Sequence, residues 1–289
     1  KDNKLYQASA GVLNLNTGVT ATPDSIFQIG SITKVMTTCL IMQLADEGKV
    51  DLDKPVKQYL REFSIADANA TETITVRQLL NHTNGIDGDY FPKDMSEDGN
   101  HCARYVDRCN LLPLVHPVGE MYSYSNGAFG IAGRLIEVVR GISWAQAIKE
   151  YIYQPLGMDH AIADPAEVIR HRAAMGHVID QEKGEGWVLP DDAYLTLGLA
   201  AAGTVLGMSA ADLVRFGCAH LQSHSGNDWL SKKSIQSMQQ PSFQLPNVSQ
   251  VCDKYVGLGW ELNTYIPGNN RVVGHRGATN GFLATLQII

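Results

Sequence analysis

The most informative run of hydrophobic and polar positions lies between residues 27 and 48, FQIGSITKVMTTCLIMQLADEG. From Val35 to Ala45 no residue is charged. A helix of that composition is apolar nearly all round, which predicts a buried helix rather than a surface one. Gly48 stands where a left-handed residue ends such a helix. Ahead of it, residues 5–15, LYQASAGVLNL, carry enough apolar and small residues to predict a strand, with Asn16-Thr17-Gly18 as its turn.

Past the central helix, Asp51–Leu60 is a polar crossover containing Pro55. Thr75 and Gln78 then have the spacing of a capping box at the head of TVRQLLNH, and Asn84-Gly85 turns the chain. Residues 87–120 are rich in Gly, Asp, Pro and Asn and show no sustained period, which predicts a long surface loop. In GEMYSYSNGAFGIAGRLIEVVRG, Ile131, Leu135 and Val138 recur at helical spacing, so Tyr124-Ser125-Asn126 falls at a helix mouth. Ser143, Ser209 with Asp212, and Ser231 mark further helix starts, the last helix stopping at Pro241. From Tyr255 onward, β-branched and aromatic residues alternate with turn residues, predicting three antiparallel strands. The order predicts a two-lobed α/β protein: residues 1–55 and 196–289 form an α/β lobe, and 56–195 a mostly helical lobe with long loops.

Composition removes several classes of function. A net charge of −7 without any Lys/Arg cluster argues against nucleic acid or an anionic membrane as partner. The longest uncharged run, Leu195–Ala211, is interrupted by three glycines and is too short for a bilayer span, so no membrane span is expected. The leading KDNKLYQ has no apolar signal core, which leaves a cytosolic protein or one whose signal was removed. Five cysteines leave at least one thiol unpaired within the chain. Cys39 reads as packing, and Cys102 with Cys109, in one polar loop, are placed for a short disulfide in an oxidising compartment. His220 and His224 are spaced i, i+4 but have no Glu between them and no third ligand in view, so no metal site is expected. Gly127, Gly130 and Gly133 suit close helix packing rather than phosphate binding.

The chemistry-bearing residues sit on this framework. Ser31 and Lys34, spaced i, i+3, share a helix face, which is how a weak nucleophile acquires a base. A lysine at the head of a buried helix loses solvation, and its lowered pKa makes part of it a neutral proton acceptor. Taken alone, the same pair also reads as an N-cap and a solvated first-turn lysine. Two further motifs follow in order: Tyr124-x-Asn126, and His275-Arg276-Gly277 opening a Gly-rich turn between strands. A second His-x-Gly, His224-Ser225-Gly226, lies in a polar loop without strand context and is set aside.

These motifs, with the flanks FQIGSITK, ITVRQLLNHTNGI, YSYSNGAFG, QPLGM, AAGTVLGMSAADLVRF, GLGW and GHRGATNGF, resemble the penicillin-recognising serine hydrolases. That family holds class C β-lactamases, D-Ala-D-Ala carboxypeptidases, D-aminopeptidases and related esterases, and the resemblance covers nearly the whole chain. It implies a β-lactamase/transpeptidase-like α/β fold, an antiparallel sheet flanked by helices with a mostly helical inserted lobe. By resemblance Ser31 is the acylated nucleophile, Lys34 its proton partner and Tyr124 a general base. Asn126 is a ligand of the substrate amide, and the N–H groups of Ser31 and Ala278 form the oxyanion hole. His275, Arg276 and Gly277 border the substrate, His275 in a position often held by lysine. Arg276 reads either as a bidentate partner for a substrate carboxylate or as an exposed strand arginine. A cationic Lys34 beside Tyr124 is expected to favour phenolate, and which of the two takes the proton first stays open because the pair titrates together.

The resemblance implies a serine hydrolase acting through a covalent acyl-enzyme on amide or ester carbonyls. Peptidase or amidase action on D-amino-acid or cell-wall-like peptides comes first, carboxylester hydrolysis next, β-lactam hydrolysis third; His275 and Arg276 weigh against the last. The rival from another class is a penicillin- or peptide-binding module that hydrolyses nothing. No cofactor is expected, the partner is a small molecule or short peptide, and a periplasmic or secreted location is expected. The family usually carries further strands and helices before and after the matched segments, and an exposed sheet edge in their absence favours a homo-oligomer.

Overall fold

In the computed structural model, which describes residues 4–92, 99–221, 229–246, 252–265 and 271–289, helix α1 (Thr33–Asp46) is buried at every position from Thr33 to Leu44. Gly48, at φ +70°, turns the chain off its end, and the N–H groups of Lys49 and Val50 return to the Leu44 carbonyl. Strand β1 (Phe27–Gln28) and a 3-10 turn, Gly30–Ile32, lead directly into α1.

Further helices follow: α2 (Val56–Tyr59), α3 (Ala68–Thr73), α4 (Val76–Leu80), α5 (His101–Arg108), α6 (Asn126–Arg140), α7 (Trp144–Ile148) and α8 (Gln154–Leu156). Thr75 and Gln78 make both bonds of the capping box that opens α4, and Ser125 caps α6 by accepting from Ala128 N. Next come β2 (Ala161–Ile162), the hairpin β3 (Val178–Ile179) and β4 (Trp187–Val188), and β5 (Gly207–Met208). Helices α9 (Ala210–Cys218) and α10 (Lys232–Met238) start at the Ser209 and Ser231 caps. The chain closes with β6 (Phe243–Gln244), β7 (Cys252–Val256), β8 (Glu261–Tyr265), β9 (Arg271–Thr279) and β10 (Phe282–Ile288).

Strands β6 to β10 form one antiparallel sheet in the order β10-β9-β8-β7-β6, and β1, β5 and β2 form a smaller one. The register sets Glu261 opposite Gly274, His275 opposite Leu286 and Ala278 opposite Leu283. Helix α6 packs through its glycines against α5 and the 3-10 segment Leu197–Ala202: a Cβ on Gly130 would stand 2.9 Å from the Tyr105 ring, and one on Gly133 would stand 2.5 Å from Ala201 Cβ. The three-residue glycine spacing is therefore a packing surface.

Three expectations are corrected. Residues 5–15 form no strand: only Leu13 among their large apolar residues is buried, and Val12 makes an isolated bridge to Thr20. The stretch 87–120 is not all loop, because α5 and the 3-10 turn Cys109–Leu111 lie within it. The buried residues of that helix and turn, Cys102, Tyr105, Val106 and Cys109, follow the i, i+3, i+4, i+7 spacing of a core-facing helix stripe. Seven residue steps, mostly helical, set the two cysteines about 10 Å apart, beyond disulfide reach, and both are free thiols. In α6 Val138 is exposed, and Phe129, Ile131, Leu135 and Ile136 are its large buried residues. His224 and its Ser225-Gly226 lie outside the described residues, whereas His220 is a core residue bonded to the Phe216 carbonyl and in contact with Cys39 Sγ at 3.4 Å.

Candidate active site

Ser31 is delivered to the head of α1 by the Gly30–Ile32 turn, one helical turn from Lys34. The lysine is fully buried, and its Nζ lies 3.1 Å from Ser31 Oγ, 2.8 Å from Asn126 Oδ1 and 2.6 Å from the Ala202 carbonyl oxygen. Burial lowers its pKa from 10.5 to about 7, with the Asp89 carboxylate opposing the shift. Carbonyl oxygens only accept hydrogen bonds. A neutral Lys34 therefore spends its two N–H groups on Asn126 and Ala202, and its lone pair faces the one partner of the three that carries a proton to give, the Ser31 hydroxyl.

Tyr124 and Asn126 come from the mouth of α6, as their motif predicts. Two neighbours hold that mouth. The Gly88 carbonyl accepts the N–H groups of Asn126 and Gly127, and His82 accepts Ser123 N–H on its carbonyl and Ser125 N–H on Nδ1, both at 2.9 Å. The Tyr124 ring lies under the amine, 4.8 Å from Lys34 Nζ to the centroid. Burial pushes the Tyr124 hydroxyl well above the usual phenol range, against a hydrogen bond with Ser31. The phenolate expectation is overturned here: desolvation, with the Tyr122, Glu261 and Asp89 charges, outweighs the hydrogen bond with Ser31. Tyr124 is a protonated phenol at neutral pH.

Strand β9 supplies the opposite wall. His275 is buried, 6.4 Å from Tyr124 between ring centroids, and its Nδ1 lies 2.6 Å from the Arg276 carbonyl. Because that oxygen only accepts, Nδ1 carries the proton and Nε2 is free to accept. Burial and the Lys34 charge hold the pKa of His275 down to about 4, so its ring is neutral where a lysine would be a cation. Arg276 is exposed on the strand. With Tyr122, Glu261 and His275 it borders a groove of about 410 Å³. Burial raises the Glu261 carboxyl, while Arg276 and Lys254 pull it back.

Two glycines bring β9 onto the head of α1. A Cβ on Gly277 would overlap the Ile29 carbonyl oxygen and stand 3.0 Å from Ser31 N, and a Cβ on Gly30 would stand 2.6 Å from Ala278 N. The amides of Ser31 and Ala278 are therefore neighbours. The structure thus gathers Ser31, Lys34, Tyr124, Asn126, His275, Gly277 and Ala278 into one cleft, with Arg276 on its rim. Sequence reasoning missed His82 and Asp89. Both lie in the flank ITVRQLLNHTNGI or just after it, and no spacing rule marks either.

A buried lysine beside a helix-head serine, a tyrosine and asparagine from the mouth of a second helix and an antiparallel strand along the opposite wall define the class of penicillin-recognising serine hydrolases. The chain belongs to the beta-lactamase family, whose sequence profile matches residues 1–289. It is 36% identical to penicillin-binding protein 4 of Amycolatopsis lactamdurans over 100% of this chain and 75% of that protein. The octameric penicillin-binding protein homologue from Pyrococcus abyssi superposes with a TM-score of 0.84 at 27% identity, covering 100% of this chain and 65% of that one. A D-stereospecific amidohydrolase from Streptomyces sp. superposes with a TM-score of 0.72 at 25% identity, covering 92% and 78%. This chain therefore spans less than two thirds of the Pyrococcus chain.

Proposed function

We propose that the protein hydrolyses amide bonds of D-amino-acid amides or D-residue peptides through an acyl-enzyme on Ser31. The observation that carries the proposal is the position of the Ser31 hydroxyl as the proton-bearing partner of a buried Lys34 whose pKa is about 7. Ser31 Oγ attacks the carbonyl carbon and its proton passes to Lys34 Nζ. The N–H groups of Ser31 and Ala278 receive the oxyanion, each worth about 3 kcal/mol in such sites. As the C–N bond breaks, the Tyr124 phenol gives its proton to the leaving nitrogen and is reprotonated from Lys34. Water then attacks the ester, loses a proton to the same base pair and releases the acid, and Ser31 regains its hydrogen. Asn126, with Oδ1 taken by Lys34, has its Nδ2 to offer a substrate carbonyl.

The D-configured substrate class is supported by likeness to a D-stereospecific amidohydrolase and to penicillin-binding proteins. A homo-oligomer belongs to the same proposal, since the Pyrococcus homologue is octameric, and light scattering tests it. So does a periplasmic or secreted location, which cell fractionation tests. The decisive assay is a panel of D- and L-aminoacyl p-nitroanilides, p-nitrophenyl esters and a labelled penicillin, with Ser31→Ala as control. Steady, Ser31-dependent turnover that favours D-substrates is expected. A penicillin adduct that persists for hours with no turnover of any substrate would replace the hydrolase with a binding module.

A further inference from the structure

Asp89 is an exposed carboxylate on the loop that grips the head of α6. The grip is close: a Cβ on Gly88 would stand 2.5 Å from Ser125 Cα, and the Gly88 carbonyl takes the Asn126 and Gly127 N–H groups. The next residue is held by its own N–H, which donates to Asp87 Oδ1 at 3.2 Å, and by Asn126 Nδ2, which reaches Asp89 Oδ1 at 3.4 Å. Asn126 is bonded to Lys34, and Lys34 to Ser31. One amide and one amine therefore separate this carboxylate from the hydroxyl.

The head of α6 has no need of it. The first N–H groups of the helix are bonded to Gly88 and to the Ser125 cap. Among the described residues no Lys or Arg forms an ion pair with Asp89. Glu261, the carboxylate on the β9 side of the cleft, is acted on by two cations, Arg276 and Lys254, whereas the cation that acts on Asp89 is Lys34, one amide away through Asn126. The charge of Asp89 is felt by the reacting groups, since it supports the protonated forms of both Lys34 and Tyr124.

We propose that Asp89 receives the free α-ammonium of the substrate, so that the protein cleaves next to an unblocked amino terminus, as an aminopeptidase or amino-acid amidase. The assignment rests on the hydrolase reading of the same cleft. In an aminoacyl group the ammonium stands one carbon from the carbonyl under attack, so its counter-charge must lie close to Ser31. Asp89 is a carboxylate there that no Lys or Arg of the described residues meets in an ion pair, Lys34 standing one amide away. An N-blocked substrate would leave it without a partner and forfeit the charge-assisted bond.

The test compares kcat/KM for D-alanine p-nitroanilide with that for N-acetyl-D-alanine p-nitroanilide, in the wild type, Asp89→Asn and Asp89→Glu. Asp89 also biases the proton on Lys34, but that effect falls on both substrates alike and cancels in their ratio. The wild type is expected to favour the free amine by roughly fivefold or more, the worth of about 1 kcal/mol. The ratio should fall toward unity in Asp89→Asn and be partly kept in Asp89→Glu. A wild-type ratio at or below one, or one unmoved by Asp89→Asn, overturns the assignment; Asp89→Ser replaces the Asn variant should that one aggregate. Hydrolysis of p-nitrophenyl acetate that Ser31→Ala abolishes is measured alongside. If it persists while the ratio stays put, only the ammonium assignment fails; if the wild type turns over nothing, the hydrolase reading falls with it.

Discussion

The imidazole of His82 lies against the phenol ring of Tyr124, with centroids 4.5 Å apart and planes inclined by 27°. This histidine has a φ of +62°, a region costly for a residue with a Cβ, and it is buried. The strain is sustained by three grips on residues 123–125: the carbonyl on Ser123, Nδ1 on Ser125 and the ring on Tyr124. Burial and the Lys34 charge hold its pKa well below 6.5, so the ring is a neutral buttress rather than an acid.

Removing that buttress should loosen Tyr124 without touching the nucleophile. His82→Ala is expected to lower kcat by about 10- to 100-fold, the scale set by a misplacement of about 1 Å, with a smaller effect on KM. His82→Asn tolerates the left-handed backbone and puts Oδ1 where Nδ1 accepts the Ser125 N–H, so it should recover part of the loss. Steady-state kinetics on the D-aminoacyl anilide, with thermal melts as a folding control, checks this. Equal kcat in the wild type and His82→Ala would remove the positioning role.

Lys34 makes the acylation rate depend on pH. Its neutral form is the base, so kcat/KM should rise as pH climbs through about 7 and level off above it, and Asp89→Asn should move that limb to lower pH. The linked effect on stability has a definite sign. Between about 7 and 10.5 the unfolded chain keeps the Lys34 proton and the folded one releases it, so the Lys34 contribution to stability rises with pH in that window and its burial penalty is full below it. Thermal midpoints of the wild type minus those of Lys34→Met, measured from pH 6 to pH 10, should trend upward; a flat difference would contradict a depressed lysine.

Gly277 is a close-approach glycine, and the smallest added side chain tests it. Gly277→Ala sets a methyl against the Ile29 carbonyl and pushes β9 from the head of α1. The Ala278 N–H then leaves its place beside Ser31 N–H. Loss of one oxyanion donor is worth about 100-fold in kcat or more. A folded Gly277→Ala variant with wild-type kcat would show that the Ala278 amide takes no part.

The cysteines should be silent to reductant. Cys39, Cys102 and Cys109 are free and buried, and burial raises all three thiols, so none is a reactive thiolate. Dithiothreitol is expected to leave the thermal midpoint unchanged, and an alkylating reagent should label these three only after denaturation. A drop in midpoint on reduction would restore a Cys102 bridge.

Much of the site was legible because its motifs are local. The i, i+3 spacing of Ser31 and Lys34 in an uncharged run, the caps at Thr75, Ser143 and Ser209, and the strand pattern after Tyr255 each depend on neighbours within a turn or a hairpin. The misreadings have physical causes too. The core stripe of α5 and the turn after it, Cys102-Tyr105-Val106-Cys109, was hidden by polar residues on both sides of a short helix. Residues 5–15 have strand-like composition, but their large apolar side chains other than Leu13 find no core, and propensity without burial does not make a strand.

The chain order of Ser31, Lys34, Tyr124, Asn126 and His275 was enough to name the family and the residues that meet, because those identities are chemical and survive any arrangement of loops. The proton on Tyr124 was decided by the tertiary structure, which also set the size of the lowering that a buried helix head implied for Lys34. Whether Tyr124 is phenol or phenolate, how far Lys34 is amine rather than ammonium, and which carboxylate is left without an ion pair depend on how much water each group loses and what stands within a few ångströms of it. Those quantities arise only when α1, α6 and β9 close on one another.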